Sequence, residues 1–497
     1  MNWQNYMPWR LTPEQVAVVS SGIVSMGLEI LAGRVLAPAY GSTIYTWGSI
    51  IGISMLALSI GYHHGGKTSK NVIKRDLDRF LVMTAVYILF LVYAGDAIIT
   101  ASSSLPIGPR YAVLVPVAVL FGPPTYFLGY ISPYAVQLSP KEDKGEASGH
   151  FYAVGTAGSI LGAFGTTFVL IPNLAVDHIY LIFAALAILP VLNGIRDRKI
   201  LPFMGMLAVG WVLAGAAPVS GSTIHEESTP YQELRVTQQD NVRTLYLDGT
   251  PQSAVYTDDT EGYVWEYLNY FELPFLMRDN IDQVLFIGGG GFVGPQAFAD
   301  RNISVHAVEL DPVVIDVAKE WFNLSESDHL TVHEGDGRQF LQQTNETFDV
   351  IYLDAYRKSQ VPFHLTTKEF MEEVSAQMDE QGIVVSNTIA TARGPGSRFA
   401  RAQYKTMGSV FNTTYYYPTA ETEFAQNIEL LGTKNGTRLS SSDLNRRDTE
   451  YTHRDLTPII KPSLDVRTEN VPVLTDDYAP VDTLLDPLIG RRYAPGS

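Results

Sequence analysis

The sequence contains no cysteine, and its acidic residues far outnumber its basic ones. Without cysteine, the 497-residue chain has no disulfide, no cysteine-ligated zinc site and no cysteine nucleophile. Its 35 Lys and Arg residues stand against 52 Asp and Glu residues, which gives a formal net charge of −17. Because a strongly negative surface repels nucleic acid, we expect no nucleic-acid partner.

The charge is unevenly distributed along the chain. Residues 1–222 hold 13 basic and 10 acidic residues, whereas the remaining residues hold 22 basic and 42 acidic ones. The first part is therefore nearly neutral and the second part is strongly acidic. An acidic surface attracts cationic substrates, but it is equally typical of a heavily solvated, halophile-like surface in a salt-adapted organism.

Long apolar stretches fill the first part of the chain. Most of them have about the 20 residues that a helix needs to cross a bilayer. There are seven: Val16–Pro38, Tyr45–Tyr62, Phe80–Ile98, Tyr111–Val136, Phe151–Ile171, Ile179–Leu192 and Leu201–Ala217. We therefore predict a multi-pass transmembrane domain of about seven helices over residues 1–222, located in a cell membrane.

From about Ser228 the pattern changes to short apolar runs. Residues 231–256 alternate apolar and polar side chains around an Asp-Gly pair, which predicts strands and a hairpin. Residues 260–277 have helical spacing. From Gln283 onward apolar runs alternate with helical stretches, which predicts a parallel sheet covered on both faces. We expect a small β-rich part over residues 223–275 and an α/β domain over residues 276–497.

Candidate ligand-binding residues fall at the ends of four successive predicted strands. The first strand ends at the glycine run GGGGFVG, in which Gly289, Gly291 and Gly294 fit G-x-G-x-x-G between a strand and a helix. Glu309 ends the next strand, 20 residues after Gly289, a spacing that suits a carboxylate binding ribose hydroxyls. Asp336 and Asp354 end the third and fourth strands.

Ligands of parallel sheets bind beyond the carboxyl ends of the strands. The glycine run together with Glu309, Asp336 and Asp354 therefore predicts a site for an adenosine-containing cofactor. The alternative role for Glu309 and Asp336 is to cap a helix or to stabilise a surface turn.

These segments resemble the spermidine synthases, which are polyamine aminopropyltransferases. The likeness runs from about Pro230 to Gly432 and is carried by YQEL, LDGTPQS, VLFIGGGG, AVELDPVVIDVAKEWF, VHEGDGRQFL and FDVIYLDAY. It implies a Rossmann-like domain of the class I methyltransferase type, preceded by a small β-domain. The apolar part resembles the multi-pass region that is fused to synthase-like domains in many prokaryotes. The predicted fold class is therefore a polytopic α-helical membrane domain followed by this α/β domain.

The resemblance implies decarboxylated S-adenosylmethionine as co-substrate, methylthioadenosine as product and no metal. Asp354 would be the catalytic general base, because an amine with a pKa of about 10 must lose a proton before it attacks the carbon beside the sulfonium. Asp336 with Gly337 would recognise adenine. The residues implied in binding the rest of the cofactor are Gln232, Gly288, Gly289, Gly290, Gly294 and Glu309.

The acceptor half of the family pattern is altered. Gly291 stands where the family has an Asp that binds the polyamine, and AYRKSQVPFH after Asp354 lacks the family's second carboxylate. Three residues are candidates to replace the lost substrate contacts: Tyr267, Tyr356 and Asp477. The basic pair Arg357 and Lys358 suits an anionic or lipid acceptor, or else belongs to a solvated loop.

The retained and altered residues are compatible with three alternative functions. The first is a membrane-bound polyamine aminopropyltransferase, which retention of Asp354 favours. The alternatives are an S-adenosylmethionine-dependent methyltransferase and a non-catalytic membrane transporter or sensor that binds a polyamine or nucleoside, both favoured by loss of the diamine-binding acids. We expect a small-molecule amine and the lipid bilayer as partners, and leave a homodimer open.

The side of the membrane that the acidic part faces is also left open. Lys and Arg concentrate in the loops after the second, fourth and sixth apolar stretches, which places the acidic part outside. Five Asn-X-Ser/Thr patterns agree with this: Asn302, Asn323, Asn345, Asn412 and Asn435. A co-substrate made in the cytoplasm argues for the opposite side.

Overall fold

The computed structural model describes most of the chain. The described residues are 12–40, 43–103, 109–140, 143–192, 223–229, 231–258, 260–356, 361–420, 422–451, 453–488 and 493. The seventh apolar stretch and the pair Arg357 and Lys358 lie outside them. The chain divides into two compact units, one comprising residues 1–219 and 228–232, the other residues 220–227 and 233–497.

The first unit is helical. Its α-helices are α1 (Pro13–Tyr40), α2 (Ile44–Thr68), α3 (Lys74–Ser103), α4 (Pro109–Ala112), α5 (Leu114–Leu120), α6 (Gly122–Leu128), α7 (Ile131–Leu138), α8 (Lys144–Gly165), α9 (Ile171–Asn173) and α10 (Val176–Leu192). A 3-10 turn follows α2 at Ser69–Asn71, and a π-helical turn, Thr166–Leu170, joins α8 to α9.

Several of these helices are candidate membrane spans by length and apolar composition. Within the described residues four qualify: Pro13–Ala37, Ile44–Asn71, Lys74–Ser102 and Lys144–Asn173. The pair Leu114–Leu120 and Gly122–Leu138, bent by 44°, makes up to a fifth, and Val176–Val191 is a shorter apolar helix. These helices coincide with six of the seven predicted apolar stretches.

Small residues bring α1 and α8 together. A Cβ at Gly158 would lie 2.5 Å from the carbonyl oxygen of Val19, and one at Gly162 would lie 2.4 Å from that of Ile23. Only glycine allows backbones to approach this closely, as small-residue patterns in apolar helices permit.

The second unit begins with a four-stranded sheet. Its strands are β1 (Thr223–Ser228), β2 (Glu233–Gln239), β3 (Val242–Leu247) and β4 (Thr250–Tyr256), in the order β1-β2-β3-β4. Asp248 and Gly249 connect β3 to β4 with φ angles of 47° and 71°. This left-handed pair is the tight turn that Asp-Gly favours in hairpins.

A seven-stranded sheet forms the centre of this unit. Its strands are β5 (Gln283–Ile287), β6 (Ser304–Glu309), β7 (Leu330–Glu334), β8 (Phe348–Leu353), β9 (Met378–Ala390), β10 (Thr413–Pro418) and β11 (Gln426–Thr433), in the order β10-β11-β9-β8-β5-β6-β7. Strands β5 to β9 are mutually parallel, and β11 is antiparallel to both of its neighbours. This mixed sheet is the predicted Rossmann-like fold of the methyltransferase type, which is thereby confirmed.

Helices follow the strands as the alternation predicts. They are α11 (Leu273–Met277), α12 (Val293–Ala299), α13 (Pro312–Trp321), α14 (Gly337–Gln343), α15 (Lys368–Ala376), α16 (Arg398–Met407), α17 (Ser441–Asp448) and α18 (Val481–Leu485). Short 3-10 helices lie at Glu266–Glu272, Phe363–Leu365, Pro395–Ser397 and Asp486–Leu488.

The expected helix over residues 260–277 forms only in part. Helical structure begins at Glu266 as a 3-10 segment and becomes α-helical at Leu273. Pro274 occupies the start of α11, where its fixed φ and missing N–H are tolerated. Five of the seven residues of the 3-10 segment are buried, so packing against the core outweighs the helical periodicity of the sequence.

Candidate active site

The glycine run forms the turn between β5 and α12. Gly288 and Gly290 have φ angles of 102° and 51°, a region that side chains other than glycine rarely adopt. A Cβ at Gly288 would also lie 2.4 Å from the carbonyl oxygen of Asp354. Glycine at position 288 therefore lets the ends of β5 and β8 meet closely.

Glu309 is fixed against this turn by backbone hydrogen bonds. Its Oε2 accepts from the N–H groups of Gly289, at 2.8 Å, and Gly290, at 3.4 Å, and its Oε1 accepts from that of Asp311 at 3.0 Å. Burial raises the pKa of Glu309, and these backbone donors oppose the rise. The carboxyl is held at the end of β6 beside the glycine turn, where ribose binding was predicted.

Asp336 caps the N-terminus of α14, which is the alternative role that the sequence suggested for it. Its Oδ1 accepts from the Gln339 N–H at 3.0 Å, and its Oδ2 lies 2.9 Å from His364 Nε2. Burial acts to raise the pKa of Asp336, but these hydrogen bonds outweigh it and hold the pKa below its usual value. At Gly337 a Cβ would lie 2.3 Å from Ile287, so glycine allows α14 to pack against β5. Recognition of adenine by Asp336 and Gly337 stays a prediction.

Asp354 lies directly after β8 and borders a cavity. The cavity is lined by Ser253, Tyr267, Leu268, Phe271, Phe286, Gly288, Gly289, Val293, Gly294, Pro295 and Asp354. Burial raises the pKa of Asp354 to about 7, with a further rise from the charge of Glu309 and an opposing hydrogen bond from Asn387. A carboxyl with this pKa exchanges a proton readily near neutrality, which suits a general base.

A chain of amide side chains leads from Asp354 into the sheet. Asn387 Nδ2 donates to Asp354 Oδ1 at 2.8 Å, and Asn427 Nδ2 donates to Asn387 Oδ1 at 2.9 Å. The Tyr493 hydroxyl donates to Asn427 Oδ1, also at 2.9 Å. Each amide oxygen accepts a hydrogen bond, so each amide nitrogen points towards the next acceptor in this series. The series of hydrogen bonds therefore fixes the orientation of the Asp354 carboxyl.

Both amides and one further acid, Glu429, were not predicted from the sequence. Glu429 lies in the middle of β11, is fully buried, and is paired in register with Asn387. Burial raises its pKa well above the usual value, and the charge of Asp354 adds to this. The signal for it was present, since Glu429 is the single acid within the buried strand QNIELLGT.

The three residues predicted to bind the substrate lie in different surroundings. Tyr267 is buried and lines the cavity with Asp354. Tyr356 is buried, but its hydroxyl donates to the Leu365 carbonyl at 2.6 Å, and it packs in the hydrophobic cluster on the other face of the sheet. Asp477 is exposed, whereas its neighbour Asp476 pairs with Arg338 at 2.8 Å. The substrate roles of all three residues stay predictions.

Gln232 directly precedes β2 and belongs to the first compact unit. It is buried, and its backbone N–H donates to Thr229 Oγ1 at 3.1 Å. Its contact with the nucleoside therefore also stays a prediction.

At Gly291 the structure gives a reason for the departure from the family pattern. The Gly291 N–H donates to Ser253 Oγ at 2.8 Å, and a Cβ at this position would lie 2.8 Å from Ser253 Cβ. An aspartate there would displace Ser253. In this structure an acid at position 291 would therefore clash with Ser253.

The donor set fits a nucleoside better than a metal. The glycine turn offers close backbone approach, and Glu309 offers carboxylate oxygens beside it, as ribose binding requires. In the described part of the chain, no group of three or more His, Asp and Glu side chains is arranged to hold a metal ion.

The C-terminal part of the chain is similar to known proteins. A family model described as "Spermine/spermidine synthase domain" matches residues 269–427. The chain is 29% identical over 203 residues to a polyamine aminopropyltransferase of Vibrio vulnificus, a match covering 39% of this chain and 68% of that protein. It is 30% identical over 243 residues to a probable polyamine aminopropyl transferase of Bifidobacterium longum, covering 44% and 53% respectively. The chain thus spans about half to two thirds of the length of these relatives.

One solved structure matches about half of the chain. It is that of a probable spermidine synthase from Corynebacterium glutamicum, with 19% identity and a TM-score of 0.41, covering 52% of this chain and all of that one. The match to the family model and the two curated relatives agree with the motifs at the strand ends. The C-terminal part of this chain contains a spermine/spermidine synthase domain.

Proposed function

We propose that the protein is a polyamine aminopropyltransferase of the spermidine synthase type, carried by an N-terminal membrane domain. It transfers an aminopropyl group from decarboxylated S-adenosylmethionine to an amine and releases methylthioadenosine. The observation that carries this proposal is Asp354, a buried carboxyl with a pKa of about 7 that borders the same cavity as the glycine turn.

In this proposal the two sides of the cavity have different tasks. The backbone of Gly288 and Gly289 and the carboxyl of Glu309 bind the nucleoside of the donor. The donor supplies a carbon made electrophilic by its positively charged sulfur. Binding energy on the nucleoside positions that carbon, and alignment of the reacting atoms is the main contribution that the protein makes to such a displacement.

Asp354 provides the proton acceptor. The amine, which arrives protonated, first gives one proton to Asp354. Its nitrogen then bonds to the propyl carbon while the carbon–sulfur bond breaks and the electron pair of that bond goes to sulfur. The hydrogen bond from Asn387 holds the carboxyl for this step, because it occupies Oδ1 from within the sheet.

The test uses the full chain purified in detergent. It is incubated with decarboxylated S-adenosylmethionine and a panel of amines, and methylthioadenosine is measured. Amine-dependent release supports the proposal. If no methylthioadenosine is released and a methyl group is transferred from S-adenosylmethionine, the methyltransferase alternative replaces the proposal. Binding of methylthioadenosine without either reaction would favour a non-catalytic sensor or transporter.

Separate experiments test the membrane anchoring and the side of the membrane that the acidic domain faces. The proposed arrangement has a multi-pass domain over residues 1–222, a β-rich part over residues 223–275 and the catalytic domain over residues 276–497. Protease added to sealed cells cuts the acidic domain only if it lies outside. Retention of the intact chain in the membrane fraction after a carbonate wash supports the anchoring role, and its release would contradict that role.

A further inference from the structure

A buried carboxyl without an assigned role lies on the strand next to Asn387. Glu429 is 0% exposed, and neither of its carboxyl oxygens has a hydrogen-bond partner among the described residues. A buried acid without partners destabilises a fold, whether it is ionised or protonated. The flanking residues Ile428 and Leu430 are fully buried, and Asn427, two positions before Glu429, is already hydrogen-bonded to Asn387 and Tyr493. Folding alone therefore gives no reason for an acid at position 429.

The register of the sheet brings Glu429 close to Asp354. Glu429 on β11 lies directly opposite Asn387 on β9. Opposite residues of an antiparallel pair project from the same face, with Cβ atoms about 4.5–5.5 Å apart. Because Asn387 Nδ2 donates to Asp354 Oδ1 at 2.8 Å, the two carboxyls are separated by a single side chain.

Aromatic side chains surround the two acids. Tyr267 lines the cavity with Asp354. Tyr417 on β10 lies directly opposite Glu429 on β11, and its ring centroid lies 6.2 Å from that of Tyr270. Carboxylates among aromatic rings form a favourable environment for an aliphatic ammonium group, through charge pairing and cation–π attraction.

We propose that Glu429 determines acceptor specificity, by pairing with a positively charged nitrogen of the acceptor other than the nitrogen that reacts at Asp354. This inference rests on the proposed function. The acceptor class is an aliphatic amine with at least two nitrogen atoms. Glu429 thereby supplies, from β11, an acid for the acceptor in place of the one that Ser253 excludes at Gly291.

The test compares two acceptors with the same carbon chain, 1,4-diaminobutane and butylamine. The variant is Glu429→Gln, and the matched control is Glu380→Gln, which removes an exposed carboxyl on β9. We expect the KM for the diamine to rise about tenfold or more in Glu429→Gln, with a smaller change in kcat, because one charged pair is lost. The KM for butylamine and both parameters of the control should stay within about twofold of the wild type. Equal effects on both amines, or no effect on the diamine, would overturn the inference.

Two further readouts do not depend on turnover. Calorimetry with methylthioadenosine present should show diamine binding to the wild type and weak binding to Glu429→Gln. If no amine gives methylthioadenosine but this difference is seen, the proposed function fails and the role of Glu429 stands. Glu429→Met should raise the Tm of the ligand-free chain, because it removes an unpaired buried acid. A lower Tm combined with unchanged diamine binding would identify Glu429 as a structural residue and overturn the inference.

Discussion

Four acids of the candidate site, three at strand ends and one within β11, form two groups with different surroundings. Glu309 accepts from three backbone N–H groups, and Asp336 accepts from Gln339 and lies within hydrogen-bonding distance of His364. On the other side of β5, Asp354 accepts from Asn387, and Glu429 has no hydrogen-bond partner among the described residues. In the first group the pKa of Asp336 is held low by its hydrogen bonds, and the backbone donors oppose the rise that burial causes in the pKa of Glu309. In the second group burial raises the pKa of Asp354 to about 7 and raises that of Glu429 well above its usual value.

Under the proposed function, this difference separates a preformed nucleoside-binding side of the site from a reactive side. Acids that are held by several hydrogen bonds keep one position and present fixed acceptors with their remaining lone pairs, which suits recognition of an uncharged nucleoside. Acids that are buried with few partners exchange protons easily and attract cations, which suits an amine that arrives charged and must lose a proton. Substitutions that alter one side of the site at a time test this division.

The largest effect is expected from Asp354→Asn. Removing the general base should lower the turnover rate about 10²–10⁴-fold. Because the asparagine fills the same space, the Kd for methylthioadenosine should change less than about threefold. Turnover is measured as methylthioadenosine release and binding by calorimetry. The matched control is Asp328→Asn, at an exposed position after α13, which should behave as the wild type. Survival of activity in Asp354→Asn would show that the base lies elsewhere.

The next effect is expected from Glu309→Gln, on the nucleoside side. The glutamine keeps one acceptor oxygen for the turn but loses the charge, so the KM for the donor should rise about tenfold to a hundredfold. The KM for the amine should change little. Initial rates with each substrate varied in turn provide the check, and a selective rise in the amine KM would contradict the division of the site.

A smaller effect concerns stability and its dependence on pH. The folded-state pKa of Asp354, about 7, lies above the ordinary value of an unfolded Asp. The stability that the protonated group contributes is therefore present below the unfolded pKa and is lost as the pH rises through about 7. Asn does not titrate, so the Tm of Asp354→Asn minus that of the wild type should increase from pH ~5 to pH ~8. Thermal unfolding in detergent measures this difference, and a constant value would contradict the raised pKa.

The smallest effect is expected from Ser253→Ala. The change removes the hydrogen bond from the Gly291 N–H to Ser253 Oγ, whose contribution is on the order of 1 kcal/mol. The KM for the donor should therefore rise only about two- to fivefold, with the amine KM unchanged. Ser325→Ala, at an exposed position, serves as the control in the same assay. A loss of turnover as large as that of Asp354→Asn would place Ser253 in the chemistry instead.

Much of the fold was predictable from local pattern. The apolar runs that became β5, β6, β7 and β8 are each followed by a helical stretch, and the Asp-Gly pair predicted the turn between β3 and β4. These features are determined by residues that lie close together in the sequence. The segment 260–277 was predicted less well, because burial of most of its residues overrides the helical period.

The acceptor side was less predictable for a physical reason. Asp354 follows β8 directly, so strand counting identifies it. Asn387 and Glu429 matter only because β9 and β11 pair in a particular antiparallel register, and that register joins positions 42 residues apart. A motif search along the chain detects the glycine turn but does not detect a pair of residues that a sheet brings together.

The most direct test of the whole account is methylthioadenosine release by the purified full chain, with decarboxylated S-adenosylmethionine as donor and 1,4-diaminobutane as acceptor. We predict release that requires the amine and that falls about 10²–10⁴-fold in Asp354→Asn, while this variant still binds methylthioadenosine as the wild type does. Release that is independent of the amine, or that persists in Asp354→Asn, would contradict the assignment of the two sides of the site.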